Sequence, residues 1–356
     1  MNLSIKLYIF LIGFIFYSCV DPFIPEVDTS NEMLVVEGLI TNAGSKHLIK
    51  LSLSSNFNED NDFIPLRNAD VTVIDGNGVN YGFDEVEPGY YYNNNPFVGE
   101  IGQSYTLMVE TEDGDIYRSD QQKIMPPITA DSLEAKWDVR DLYDIDNDGE
   151  QTIQPFEGIS LWADIKSNSQ APPMVRFQTD VITQYILIDF SDDPDFFYCH
   201  LRKNIDYKLN VVIPDFQTHS NTSAYHDVGF IRKGVKVIIP DSLRLMYIHK
   251  RIVVLKQFTL NEQSYNFYKQ LSDQLEAEGT LFDPSPFQLK GNIFCVNDPT
   301  KKAIGIFEAS SHVSRSFVLN NEPLRPEKLS IRRVPDLNYL SNFGMSREVV
   351  PNFWVF

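Results

Sequence analysis

Apolar residues at every second position, interrupted at short intervals by Asp-Gly and Asn-Gly turns, restrict this chain more than any other feature of it. In HLIKLSLSS, Ile49, Leu51 and Leu53 share one face while Lys50, Ser52 and Ser54 take the other, the signature of a half-buried strand. ADVTVIDGNG sets Val71 and Val73 before Asp75-Gly76-Asn77-Gly78, and QSYTLMVETEDGDIY sets Tyr105, Leu107 and Val109 before Glu112-Asp113-Gly114. Strand, Asp-Gly turn, strand reads as a hairpin, because such turns need backbone angles that glycine supplies without strain. No stretch between Met33 and Met125 has helical periodicity. Roughly five to seven short strands in that span predict a compact antiparallel β-sandwich.

Met125-Pro126-Pro127 breaks the pattern and marks a boundary, giving a sandwich over 33–127 and a larger β-rich unit over 128–356. The second unit continues with strand-like runs and holds one main helix at about 260–278. Thr259 and Glu262 form a capping box for it, Tyr265, Tyr268, Leu271 and Leu275 its apolar stripe, and Gly279 its stop. The predicted fold class is mostly β with this single helix.

The amino-terminal run from Leu7 to Ser18 carries no charge and meets Asp21 and Pro22 before the roughly 20 apolar residues of a spanning helix. It reads as an export signal over 1–18. Phe16 and Tyr17 suit a small-x-small cleavage site poorly, whereas Phe16-Tyr17-Ser18-Cys19 is similar to a bacterial lipobox, in which Cys19 is lipidated and becomes the first mature residue. Residues 19–32, acidic and carrying Pro22 and Pro25, then read as an extended tether. A net charge of −19 on 356 residues excludes nucleic acid as a partner, since phosphate binding needs a cationic face.

Asp144, Asp146 and Asp148 with Gly149 place oxygen ligands at the first, third and fifth positions of a calcium loop. The twelfth position, Pro155, lacks the carboxylate that completes the shell, so Ca²⁺ competes with a plain acidic loop, and no other cofactor is indicated. His219 and His226 lack a third partner at zinc spacing. No G-x-S-x-G, H-E-x-x-H, S-x-x-K or Walker sequence occurs, and the chain reads as a non-enzyme. Cys199 and Cys295 either form one long-range disulfide or stay two buried thiols. Tyr90, Tyr91 and Tyr92, followed by Asn93-Asn94-Asn95, form an aromatic ligand or interface segment. Alternation has Tyr90 and Tyr92 facing the core and Tyr91 facing water.

Several of these segments, in their order and spacing, resemble the domain of unknown function 4249 (DUF4249) family, lipoproteins of the Bacteroidota. They are Cys19 followed by Asp-Pro-Phe, MLVVEGLIT at 33–41, NADVTVIDGNG through EIGQSYTLMVETEDGDIYRSD, LFDPSPFQLKGNIF with AIGIFEAS, and the closing Pro351-Asn352-Phe353-Trp354. The Cys-x-x-Cys-like pair that relatives carry before the final Phe-Trp is absent. The resemblance implies an outer-membrane lipoprotein, anchored through Cys19 and either displayed at the cell surface or facing the periplasm, that partners a TonB-dependent transporter or another β-barrel. Val20, rather than Asp, after the lipidated cysteine gives no signal for retention in the inner membrane. The first unit is similar to transthyretin/Ig-like sandwiches, a likeness of fold alone. Asp131-Ser132-Leu and Asp241-Ser242-Leu resemble the tripeptide that Bacteroidota O-glycosylate, making Ser132 and Ser242 modification candidates. An adhesin or structural surface protein, and a calcium-dependent surface enzyme, are the alternatives.

Overall fold

A computed structural model describes residues 33–54, 63–145, 151–165, 173–189, 195–204, 210–211, 224–232, 237–239, 244–275, 289–320 and 330–334. The first part is built of short strands: β1 (Leu34–Thr41), β2 (Leu48–Leu53), β3 (Ile64–Pro65), β4 (Asp70–Asp75), β5 (Asn80–Glu87), β6 (Tyr90–Asn93), β7 (Ser104–Glu110), β8 (Ile116–Ser119) and β9 (Gln122–Lys123). The predicted turns close as expected. Asp75 Oδ1 accepts from the amides of Asn77 and Val79, both at 2.9 Å, and Gly78 takes a φ of 84° that a side chain would resist.

Beyond the diproline the strands lengthen: β10 (Ala130–Ile145), β11 (Gln151–Ile165), β12 (Val175–Asp189), β13 (Asp195–Asn204), β14 (Asn210–Val211), β15 (Ala224–Arg232), β16 (Val237–Ile239) and β17 (Arg244–Thr259). Helix α1 (Glu262–Leu275) follows, then β18 (Ile293–Cys295), β19 (Ala303–Asn320) and β20 (Ser330–Val334). The fold is mostly β, with a large mixed sheet, a separate three-stranded sheet of β10, β11 and β15, and one helix among the described residues.

The 33–127 unit does not complete its own core. Its strands follow one another as β1–β2–β6–β5–β4–β7–β8 through antiparallel pairs, and both ends of that row are finished by distant sequence. β19 lies parallel to β1, from Leu34 opposite Ala303 to Thr41 opposite Ser310, and β18 pairs with β8. Asn292 then ties the two added strands together, its Nδ2 donating to Phe307 O at 2.7 Å and its Oδ1 accepting from Phe307 N at 2.9 Å. Ile293, Cys295, Phe307 and Ala309 accordingly enter one core with Val36, Ile49, Tyr91 and Leu107. An edge strand with unpaired backbone groups invites such a partner. Here the partner comes from the far end of the same chain.

β19 is the spine of the molecule. Its first half completes the sandwich, and its second half, Ser311–Leu319, runs antiparallel to β17, which in turn pairs with β12. The three-stranded sheet packs on this second sheet, with Leu133, Ile159 and Leu161 against Phe177, Val253 and Phe317. The segment after the diproline is fastened to β17: Thr259 Oγ1 accepts from Ile128 N at 2.9 Å, and Gln257 bonds Ile128 and Ala130. Thr259 is therefore no part of a capping box. The N-cap is Asn261, whose Oδ1 accepts from Ser264 N at 2.9 Å. The buried stripe of α1 runs through Ser264, Tyr265, Phe267 and Ser272, while Leu275 is exposed. No described helix is long and apolar enough to cross a membrane.

Candidate functional site

Of the residues marked in the sequence, the tyrosine triad is the one whose side chains the structure places in full, and it reverses their expected orientation. Register sets Ile49 opposite Tyr91 and Lys50 opposite Tyr90, so Tyr91 points inward with Ile49. Tyr91 is 1% exposed, its hydroxyl donating to Leu66 O at 2.9 Å and accepting from Ala69 N at 3.2 Å. Burial raises its phenol pKa. Tyr90 and Tyr92 lie on the opposite, half-exposed face. The expectation fails because β6 takes its parity from β2, and three consecutive tyrosines do not by themselves identify the buried side.

Around Tyr90 and Tyr92 the outer face collects further groups of the same kind. The Phe63 ring lies 5.6 Å from Tyr90, Lys50 Nζ is 4.8 Å from the Phe63 ring and 2.9 Å from Glu37, and Lys46 Nζ is 4.2 Å from the Tyr92 ring. Asn93 braces the adjoining turn, its Nδ2 donating to Ser45 O and Asn95 O and its Oδ1 accepting from His47 N. The result is an aromatic surface on a rigid sheet, edged by two ammonium groups. Flat aromatic rings of this kind contribute binding area with little loss of side-chain freedom.

A second constellation escaped the sequence reading. Glu308, fully buried in β19, accepts from Arg176 Nη2 at 2.9 Å and Nε at 3.1 Å, from Tyr268 Oη at 2.6 Å and from Ser310 Oγ at 2.5 Å. Arg176 stacks over Phe258 at 3.9 Å and Tyr268 at 4.9 Å. Burial, and then the Glu308 charge, push the Tyr268 phenol far above its usual range, so Tyr268 stays a neutral donor. His312 stacks on Phe258 with 4.8 Å between centroids, and burial, then Lys256 and Arg176, lower its pKa to about 4. Both Glu308 oxygens are taken up by donors. That arrangement ties β12, β19 and α1 together through one buried carboxylate.

The remaining candidates are scattered. Asp144 lies near the end of β10, opposite Thr152, while Asp146 and Asp148 fall outside the described residues. Among the described residues no three His, Cys, Asp or Glu side chains gather as a metal site. Ser132 is half-buried in β10 beside a register shift, opposite Asp164. Cys19 and Ser242 lie outside the described residues. Cys295 is a free buried thiol, 3.2 Å from Asn297 Oδ1, so the disulfide with Cys199 is not formed here. Cys199 itself sits in β13 opposite Tyr185. On the three-stranded sheet Arg140 bridges Asp138 at 3.1 Å and Asp227 at 2.7 Å. Hydrogen bonding by Ser160 and Arg140 lowers the Asp138 pKa.

Comparison with known proteins finds a family match. The family model described as a domain of unknown function (DUF4249) covers residues 20–316. No curated protein and no solved structure matches the chain.

Proposed function

This chain belongs to the DUF4249 family, and from that premise we propose that it is a lipid-anchored outer-membrane protein that binds a partner through the aromatic face of its sandwich. The partner class that suits this reading is a TonB-dependent transporter or another β-barrel, which the protein would serve as an accessory at the cell surface. The observation that carries the reading is the half-exposed surface of Phe63, Tyr90 and Tyr92 flanked by Lys46 and Lys50. Aromatic anchors backed by a rigid sheet are what a protein interface uses to concentrate binding energy. The polar cluster most reminiscent of catalysis, Glu308 with Arg176 and Tyr268, is engaged in an internal ion pair and hydrogen bonds, which supports a binding role over an enzymatic one.

In this reading Cys19 supplies membrane affinity. Acyl chains contribute roughly 0.8 kcal/mol per buried CH₂, so more than one chain gives stable anchoring without a spanning helix. The tether, 14 residues if it runs over 19–32, extends at most about 50 Å and sets the reach of the sandwich from the membrane. Membrane fractionation of Cys19→Ala tests the anchor. The variant is expected in the soluble fraction or retained at the inner membrane, and unchanged outer-membrane partitioning would contradict the proposal.

A further inference from the structure

The sandwich carries a cavity away from its aromatic face. It lies between Asp120, the segment 289–294 leading into β18, and the turn 299–303 leading into β19, and it measures about 500 Å³. That volume is within the range of small-molecule sites. Its polar wall holds Lys290, Lys301 and Lys302, with Asp120 as the single carboxylate among the lining residues. The nearby acids are already engaged. Asp115 pairs with Lys301 at 2.5 Å, Asp120 Oδ2 accepts from Gln263 at 2.6 Å, and Asp298 Oδ1 accepts from Thr300 N at 2.9 Å and its hydroxyl at 2.6 Å. Lys290 and Lys302 are exposed and, among the described residues, neither has an ion-pair partner.

Two unpaired ammonium groups in one concavity are notable in a chain of net charge −19. They favour an anion there. The lining also includes apolar side chains, Leu289, Pro299 and Phe294, the last of them 45% exposed. We propose that this cavity binds an anionic group, phosphate or carboxylate, carried on an apolar body. Lys290 and Lys302 hold the anion as point charges, and Phe294 covers the apolar part. Two sources supply that chemistry: a soluble organic anion and an anionic lipid headgroup. A headgroup would come within reach if Cys19 is lipidated, because Leu34, 15 residues further along the chain, lies opposite Ala303, next to Lys302. The site stands whether or not Cys19 is lipidated.

The test is calorimetry on the full-length protein in a non-ionic detergent, titrated with hexyl phosphate, with inorganic phosphate, and with micelles of the same detergent doped with phosphatidylglycerol. Saturable binding of hexyl phosphate identifies a soluble ligand class, and binding of the doped micelles alone identifies a headgroup. Either response should weaken at high salt and by at least about tenfold in Lys290→Glu/Lys302→Glu. Lys123→Glu/Lys136→Glu, which changes the net charge equally, should leave it unchanged, and circular dichroism should show both variants folded. Phe294→Ser should weaken hexyl phosphate selectively. No saturable binding of any probe, or binding indifferent to Lys290 and Lys302, overturns the proposal. Equal affinity for inorganic and hexyl phosphate overturns its apolar half.

Discussion

Replacing Arg176 by Met removes one charge from a pair that is almost wholly enclosed, with side-chain exposures of 14% for Arg176 and 1% for Glu308. Methionine keeps much of the apolar stem that stacks on Phe258 and Tyr268, so packing is largely held constant while the cation is lost. Glu308 would keep its bonds from Tyr268 and Ser310 but would stand as an uncompensated buried carboxylate. Breaking such a pair from one side is expected to destabilise by about 3–5 kcal/mol. Removing both charges, in Arg176→Met/Glu308→Leu, should recover most of that, because an apolar replacement leaves nothing charged to desolvate. Urea unfolding followed by tryptophan fluorescence and by circular dichroism reads the effect, with coincident curves as the check on two-state behaviour. The double-mutant cycle should give a coupling of at least about 2 kcal/mol. A loss below about 1 kcal/mol in Arg176→Met, or a double variant no better than the single one, would refute the argument that this pair holds β12 to β19.

Acid sensitivity should trace to His312. Its folded pKa is lowered to about 4 while the unfolded value is near 6.5. As pH falls from about 6.5 to 4 the unfolded chain takes up the proton first, so stability drops by at most about 3 kcal/mol, less in proportion to the ring's partial solvent access. His312→Phe, which retains the stack on Phe258, should flatten that limb of a denaturation-versus-pH series, and an unchanged slope would reject the assignment. Gly305 has a φ of 97° and a Cβ placed there would lie 2.0 Å from Val36 O, so Gly305→Ala should destabilise by about 4 kcal/mol or more and expose tyrosine fluorescence from the sandwich. Tyr91→Phe deletes two hydrogen bonds and is expected to lower stability by about 1–2 kcal/mol, whereas Tyr92→Phe should be neutral within about 0.5 kcal/mol in the same melts.

Local order was readable wherever one side of a strand meets water. Ile49 and Leu51, and Val71 and Val73, alternate with polar residues and are all buried as predicted, and so are Leu107 and Val109 on either side of the half-buried Met108. The Asp75 turn and helix α1 carry their own chemistry in neighbouring residues, so they were legible too, although Asn261 caps the helix where Thr259 was expected. The long-range partnership of β1 and β19 was not. Leu34 and Ala303 meet through backbone pairing, which leaves no imprint on either local pattern. The same pairing hid Glu308. A period-two reading assigns one wet face, but β19 is covered on both sides, so Phe307, Glu308 and Ala309 are all fully buried. Tyr91 was misassigned for a related reason, since its parity belongs to β2. The lysine cavity draws Lys290, Lys302 and Asp120 from separate turns, and only the closure of the sandwich by β18 brings them together.

The reading that this protein serves a membrane partner through its aromatic face is tested most directly by affinity purification from detergent-solubilised outer membranes of its native host. Wild-type protein is expected to bring down a β-barrel in stoichiometric amount, and Tyr90→Ala/Tyr92→Ala, folded by circular dichroism, is expected to lose it. Recovery of no barrel with the wild type, or equal recovery with the double variant, would contradict the account.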